Sequence, residues 1–408
     1  MRRVADGLAA WLLVGTIGWA GIIAIGLMLW QSNPPRAGFD LALLLDAARR
    51  VTAGQSPYDP AMLAGTSPDA TSLFYSYPPA VAQAMTLLAW LPDGVVLVLW
   101  GLGATLGLGL VAWRMGLSAG RAAGPRDALK TMAMASLILP FAVAVLFGNL
   151  DAWYGLAFGV VVLAVTMPNP TRSRSIAGGI ALGIASVAKL HPALLLVWLL
   201  VRALVDRRGP ATRTLVAAIV TVAVLVIASL AVGGLGPWED YLAALRAGSG
   251  AAVVDPRNVG PTSLLGQAVP LDATAVKVVQ VAVSLAALAV TVLAAVRVRE
   301  PLASLAVAIT ASLVVLPVTW YHYPVALVPV GIALAIRQPA ARLSVVLAVV
   351  VADLAIGVMP ILWLAVALLL AVCLVAASRG SGDLDGPIRL RDRAGPVRQS
   401  ELADPQSS

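Results

Sequence analysis

The feature that most constrains this chain is the return, from one end to the other, of apolar runs about 20 residues long, each enough to cross roughly 30 Å of hydrocarbon as a helix. Inside a bilayer no water satisfies backbone N–H and C=O groups, so a spanning segment outside a closed barrel has to be helical. The 408 residues are 60% hydrophobic and 12% charged, with a mean hydropathy of +0.91. One soluble core could not bury that much apolar side chain. The expected fold is therefore an all-α polytopic membrane protein with no sizeable soluble domain.

The runs place spans near 8–30, 94–113, 128–147, 150–167, 176–188, 192–204, 214–234, 271–296, 301–318, 320–336, 342–359 and 361–377. With both termini cytoplasmic, 21 of the 28 Lys and Arg residues fall in cytoplasmic segments, the asymmetry expected of positive charge beside membrane helices. The net charge of +8 is scattered through short loops and forms no basic stripe. Membrane lipids are thus the expected surroundings, and nucleic acid is not an expected partner. Segment 78–91 is too short to span and reads as a re-entrant or interfacial piece on the outer face, and the chain around "AKLHP" turns near that same face.

The first run follows Arg2 and Arg3 and exceeds a signal-peptide core, so it reads as a retained helix. The single cysteine, Cys373, lies in the last run, which leaves no intrachain disulfide and no cysteine metal site. One membrane domain is expected over 1–378, with long outer loops at 31–93 and 236–270. A Gly/Pro/Asp/Arg-rich tail, 379–408, has no apolar face and is expected to be disordered in the cytoplasm. The small-residue spacings "GATLG" and "GIALG" read as helix packing.

The chemistry concentrates in the expected outer segments. In "AGFDLALLLDAARRVTAGQSPYDP", Leu41, Leu44, Leu45 and Ala48 share one helical face, which predicts an amphipathic helix lying on the outer membrane surface. Asp40 opens that helix. It reads either as an N-terminal cap facing the positive end of the helix dipole or as a general base beside a lipid-borne substrate. Asp46 pairs locally with Arg49 or Arg50 in this reading.

"SLFYSYPPA" sets Tyr77 before a rigid proline pair, with Phe74 and Tyr75 as an interfacial aromatic belt. "FGNLDAWYG" puts Asn149 and Asp151 in a tight turn that serves as a plain turn or as part of a site. In "ASVAKLHPALL", Lys189 and His191 interrupt apolar sequence, and an ionisable group at that depth usually faces a cavity and an anionic partner such as a lipid phosphate. "VLPVTWYHYPVAL" sets His322 between aromatic residues just after Trp320.

In order along residues 38 to 330, "FDLALLLDAARRVTAGQSPYDP", "YSYPPAVAQAMTLLAWLP", "GNLDAWYGL", "GGIALGIASVAKLHPALLL", "NVGPTSLLG" and "VLPVTWYHYP" resemble glycosyltransferase family 87. These are polyprenyl-phosphate-mannose-dependent mannosyltransferases of the GT-C superfamily. The resemblance implies a GT-C-type bundle of about 12 transmembrane helices with an extracytoplasmic amphipathic helix in the first loop. It also implies a multi-pass location in the cell membrane with the active site outside.

By the same resemblance Asp40 is the catalytic base, and Lys189, of the K-x-x-P element, binds the donor phosphate together with His322 and Arg257. Tyr77, Asn149, Asp151, His191, Asn258 and Trp320 contact substrate, with Ser263 beside Asn258. The donor implied is a polyprenyl-phosphate mannose and the acceptor a glycolipid or lipoglycan hydroxyl, joined by inversion in an α linkage, with no cofactor and no metal. An arabinofuranosyltransferase of the same superfamily and a lipid-linked-sugar flippase or transporter stand as alternatives.

Overall fold

The computed structural model describes residues 2–30, 37–66, 74–269 and 272–382, and every regular element in them is helical. The chain opens with Arg2–Trp30 (α1). The first long loop holds Phe39–Thr52 (α2), Pro60–Leu63 (α3) and Pro79–Met85 (α4), and leads into Asp93–Ser118 (α5). Pro125–Ala135 (α6), Leu139–Phe147 (α7), Tyr154–Val165 (α8), Arg172–Ala188 (α9), Leu194–Val205 (α10) and Pro210–Gly233 (α11) follow. The remainder comprises Gly236–Val254 (α12), Pro261–Ala268 (α13), Ala273–Arg297 (α14), Pro301–Val314 (α15), Val328–Arg337 (α16), Arg342–Leu354 (α17) and Leu362–Gly382 (α18).

Among the described residues, five helices are long and apolar enough to cross a membrane, at Ala9–Met28, Asp93–Ser118, Pro210–Gly233, Thr274–Arg297 and Met359–Ser378. A sixth is made if α6 and α7 count as one span, bent by 82°. Most of the other runs form shorter apolar helices, among them Leu150–Val165, His191–Val205, Pro301–Val314 and Tyr323–Arg337.

The run at 128–147, expected as one continuous helix, is broken because Pro140 has no N–H and its ring clashes with the carbonyl four residues back, at Ser136. The N–H of Leu139 at the start of α7 donates instead to Asp353 Oδ1 at 2.8 Å. That bond gives a structural role to the one acidic side chain deep in an apolar run. Segment 78–91 holds only the seven-residue α4, about 10 Å of helix, far short of a crossing. Segment 236–270, expected as a loop, is largely the helices α12 and α13. Of the expected tail, the first residues continue α18 as far as Gly382, and 383–408 lie outside the described residues.

In α2, Leu41, Leu44, Leu45 and Ala48 are at most 1% exposed, as their spacing required. Their cover, however, is protein: Tyr58, Val81, Ala82, Met85 and Trp100 pack in the same cluster. This corrects the expectation that the leucine face lies on the membrane surface, since an apolar face seen in sequence does not say what apolar surface meets it.

The glycine spacings serve close packing, as expected. A methyl group on Gly179 would overlap the Thr214 carbonyl of α11, and one on Gly183 would come within 2.6 Å of Thr221 Cβ. Gly103 and Gly107 lie in the same way against Trp153 and Leu156. Replacing Gly179 by Leu is expected to pry α9 from α11 and cost about 1–3 kcal/mol or more. A lowered thermal midpoint in detergent, against an unchanged one for a substitution at exposed Gly21, checks this.

Candidate active site

Two left-handed glycines bring the first elements of the site together. Gly38, at φ +66°, precedes α2, and its N–H donates to Leu146 O at 2.9 Å, tying the loop to the end of α7. Gly148, also at φ +66°, ends α7, and a Cβ there would sit 2.5 Å from Leu41 Cβ. Only a residue without a side chain permits both the turn and this approach. The result sets the start of α2 against Asn149.

Asp40 is the second residue of α2, inside the cap position, which Gly38 occupies. The residue is 9% exposed, and its carboxylate accepts a hydrogen bond from Asn149 Nδ2 at 2.7 Å. The Asn149 amide is itself fixed: Oδ1 accepts from the Asp151 N–H at 2.9 Å, and the Asn149 carbonyl accepts from Trp100 Nε1 at 3.1 Å. Asn149 therefore orients Asp40 from a tight turn.

Asp151 is fully buried. Both its oxygens accept from Lys189 Nζ at 3.1 Å, and Oδ2 lies 3.3 Å from His322 Nε2, an ion-pair distance without hydrogen-bond alignment. Lys189 reaches Asp151 because α9 stops at Ala188 and Lys189 itself is extended, at φ −154° and ψ 137°. Its ammonium lies 3.6 Å above the Tyr323 ring and 5.9 Å from that of Tyr77, contacts that stabilise a desolvated cation. Behind it the His191 ring stacks on Tyr323 at 6.1 Å, with Nδ1 3.3 Å from Ser312 Oγ.

These contacts set the electrostatics. Burial pushes the Asp40 carboxyl above its ordinary value of 3.8, opposed by His322, by the Asn149 hydrogen bond and by Lys189, while Asp151 adds to the rise. Asp40 is consequently more basic than a dipole-stabilised cap would be. Asp151, in contrast, is committed to the Lys189 ammonium.

Seven of the expected residues, Asp40, Tyr77, Asn149, Asp151, Lys189, His191 and His322, thus gather around one buried cluster. Arg257, Asn258 and Trp320 stand in a second group. Arg257 pairs with Asp255, Nη2 to Oδ2 at 2.6 Å, and its guanidinium lies 5.8 Å from the Trp320 ring. Asn258 Oδ1 accepts from the N–H groups of Gly260 and Thr319 at 2.8 and 2.9 Å, fastening this loop to the segment that leads to His322.

Asp46 pairs with Arg49 at 2.9 Å on the exposed side of α2, and Arg49 also reaches Asp93. Tyr75, expected in an aromatic belt, is instead buried, its hydroxyl donating to Pro78 O and accepting from Ala82 N–H, each at 2.9 Å. It clamps the start of α4. Residues that sequence reasoning left out are Tyr323, legible as the neighbour of His322 in "WYHYP", and Ser312, which nothing distinguishes within its apolar run. Among the described residues no group of three or more His, Cys, Asp or Glu is placed to hold a metal ion.

The chain matches the family model described as Glycosyltransferase family 87 over residues 75–320. That stretch is more than half of the chain. It contains Tyr77, Asn149, Asp151, Lys189 and His191 and stops short of His322, while Asp40 precedes it. No match is found among curated proteins.

Replacing Lys189 by Met leaves Asp151 buried without its cation and is expected to cost about 3–5 kcal/mol. Adding Asp151→Asn removes the orphaned charge and is expected to restore most of that loss. Thermal unfolding of the single and double variants in detergent checks the pair, and equal destabilisation by both would contradict it.

Proposed function

The chain belongs to glycosyltransferase family 87, and we propose that it moves a mannosyl residue from a polyprenyl-phosphate donor to a hydroxyl of a glycolipid or lipoglycan, with inversion and an α linkage. In this reading the shorter helices complete a bundle of about 12 crossings in the cell membrane, and the cluster around Asp40 opens on the extracytoplasmic face. The charge count supports that sidedness, since the segments assigned outside carry 7 of the 28 Lys and Arg residues.

One observation carries the proposal. A buried, Asn149-oriented carboxylate stands beside a part-buried lysine ammonium held by a second, fully buried carboxylate. A polyprenyl-phosphate sugar is already activated, because its phosphate departs as a stable anion, so the protein has to supply a base and a counter-charge.

Asp40 takes the proton of the acceptor hydroxyl as that oxygen attacks the anomeric carbon. The new C–O bond forms on the face opposite the departing phosphate oxygen, whose bond to the carbon breaks with its electron pair. Lys189, steadied by Asp151 and with His322 at its side, offsets the charge that develops there. Asn149 holds Asp40 toward the acceptor, and Asp151 holds the Lys189 ammonium in place.

The first test is transfer of labelled mannose from polyprenyl-phosphate-mannose to a membrane glycolipid by the purified protein, beside Asp40→Asn. Loss of about 10²–10⁴-fold in turnover with donor binding retained is the expected result. Full activity of the variant would remove Asp40 as base. Activity with an arabinofuranosyl donor alone would change the sugar, and donor movement without transfer would favour a transporter.

The pH profile gives a second test. The base must be ionised, so activity falls as pH drops through the Asp40 pKa, which lies above 3.8. Asn149→Ala removes a hydrogen bond that favours the charged carboxylate. Its acid limb is therefore expected at higher pH than that of the wild type. A limb that stays in place in the variant would mean that another group limits the rate.

A further inference from the structure

Away from the carboxylate cluster, a cavity of about 730 Å³ opens among α5, α6, α16, α17 and α18. Its size falls in the range of roughly 300–1,000 Å³ usual for ligand sites. The walls are mostly apolar, with Ile332, Val345 and Val349 among them, and one end carries Arg121, Lys130 and Arg342.

Among the described residues none of these three cations forms an ion pair. Arg121 donates through Nη2 to the Ile336 carbonyl, and Arg342 through Nε to the Ala335 carbonyl at 3.1 Å. Both acceptors lie in the last turn of α16, the negative end of its dipole, so the two guanidinium groups are fixed side by side by backbone oxygens. Lys130 Nζ sits 4.9 Å above the Trp11 ring. Asp127 stands with them, its carboxylate accepting from the Gly124 N–H at 2.8 Å, and Asp353 also lines the cavity, so the lining holds three cations against two carboxylates.

The cavity reaches toward the carboxylate cluster at Pro324, the residue after Tyr323, but none of Asp40, Asn149, Asp151, Lys189 or His322 lines it. Pro140, at the start of α7, lines it, whereas Phe147, at the other end of α7, meets the His322 ring with centroids 6.3 Å apart. The nine residues of α7 span about 13 Å. The outer face of α17 at Leu343, Val346 and Leu347 is exposed and apolar, and Val346 also lines the cavity, a surface suited to hydrocarbon.

We propose that this cavity binds one anionic phospholipid, its phosphate on Arg121 and Arg342 with Lys130 alongside, and its acyl chains between α16 and α17. Charge complementarity selects the headgroup, and the apolar walls select a molecule with a tail. The site does not depend on the glycosyl-transfer reading.

The test uses the full-length protein in nanodiscs of phosphatidylcholine containing a minor fraction of phosphatidylglycerol, with retained lipid counted by native mass spectrometry. One phosphatidylglycerol per chain is expected to be kept in preference to phosphatidylcholine. Arg121→Gln with Arg342→Gln is expected to weaken that retention about tenfold or more. Val349→Trp, which fills the cavity and leaves the cations in place, is expected to abolish it.

Free glycerol phosphate is expected not to displace the lipid. Equal retention of the two lipids, undiminished retention in the arginine variant, or displacement by glycerol phosphate would each overturn the proposal, the last by reducing the site to a headgroup-only anion site. Melting temperatures in pure phosphatidylcholine verify that the variants fold. If the arginine pair variant does not fold, Lys130→Gln and Val349→Trp decide the question.

Discussion

The ion pair of the buried Asp151 with the part-buried Lys189 is the constraint on which the rest of the site depends. Taking two charges out of water costs several kcal/mol each, and their attraction offsets this only where other contacts complete the shell. Here Asp151 has the His322 ring beside it, and Lys189 has the faces of Tyr323 and Tyr77. Three chain segments that are distant in sequence, the turn before α8, the end of α9 and the stretch before α16, are thereby held in one place.

Asp40 sits beside this pair under the opposite condition. Asp151 is bound to a cation, whereas Asp40 is held by the neutral Asn149 amide, which orients a carboxylate without discharging it. Two buried acids in one cluster thus acquire different characters from their partners, one a fixed counter-ion and the other a group whose proton affinity is raised by burial. The same separation of roles by environment is what acid–base chemistry requires of paired carboxylates.

The breaks in the helices matter as much as the helices. Pro140 interrupts a run that would otherwise be continuous, Gly148 ends α7 in a left-handed turn, and Lys189 leaves the helix altogether. In an apolar setting each interruption frees backbone groups that need partners. Asp353 meets one of them at Leu139, and the Asn149 side chain meets another at Asp151. Asp353 and Asn149, polar residues inside apolar sequence, thus repair the backbone at these two breaks.

The all-helical class, the amphipathic spacing of Leu41, Leu44, Leu45 and Ala48, the packing role of the glycines and the isolation of Lys189, His191 and His322 in apolar surroundings were legible in the sequence, because each follows from local composition and period. What meets a face was not legible. The leucines of α2 are covered by α4 and α5 and not by lipid, Tyr75 is a buried clamp, Arg257 answers Asp255, and the expected loop at 236–270 is largely the helices α12 and α13. Nor could residue spacing bring Asp40 to Asn149 or Asp151 to Lys189, since those contacts bridge 109 and 38 positions and exist only once α2, the turn after α7 and the end of α9 have packed. The sequence by itself determined that charged groups in so apolar a chain must find partners. Tertiary structure alone decided which, because partner choice depends on distances that the local chain does not encode.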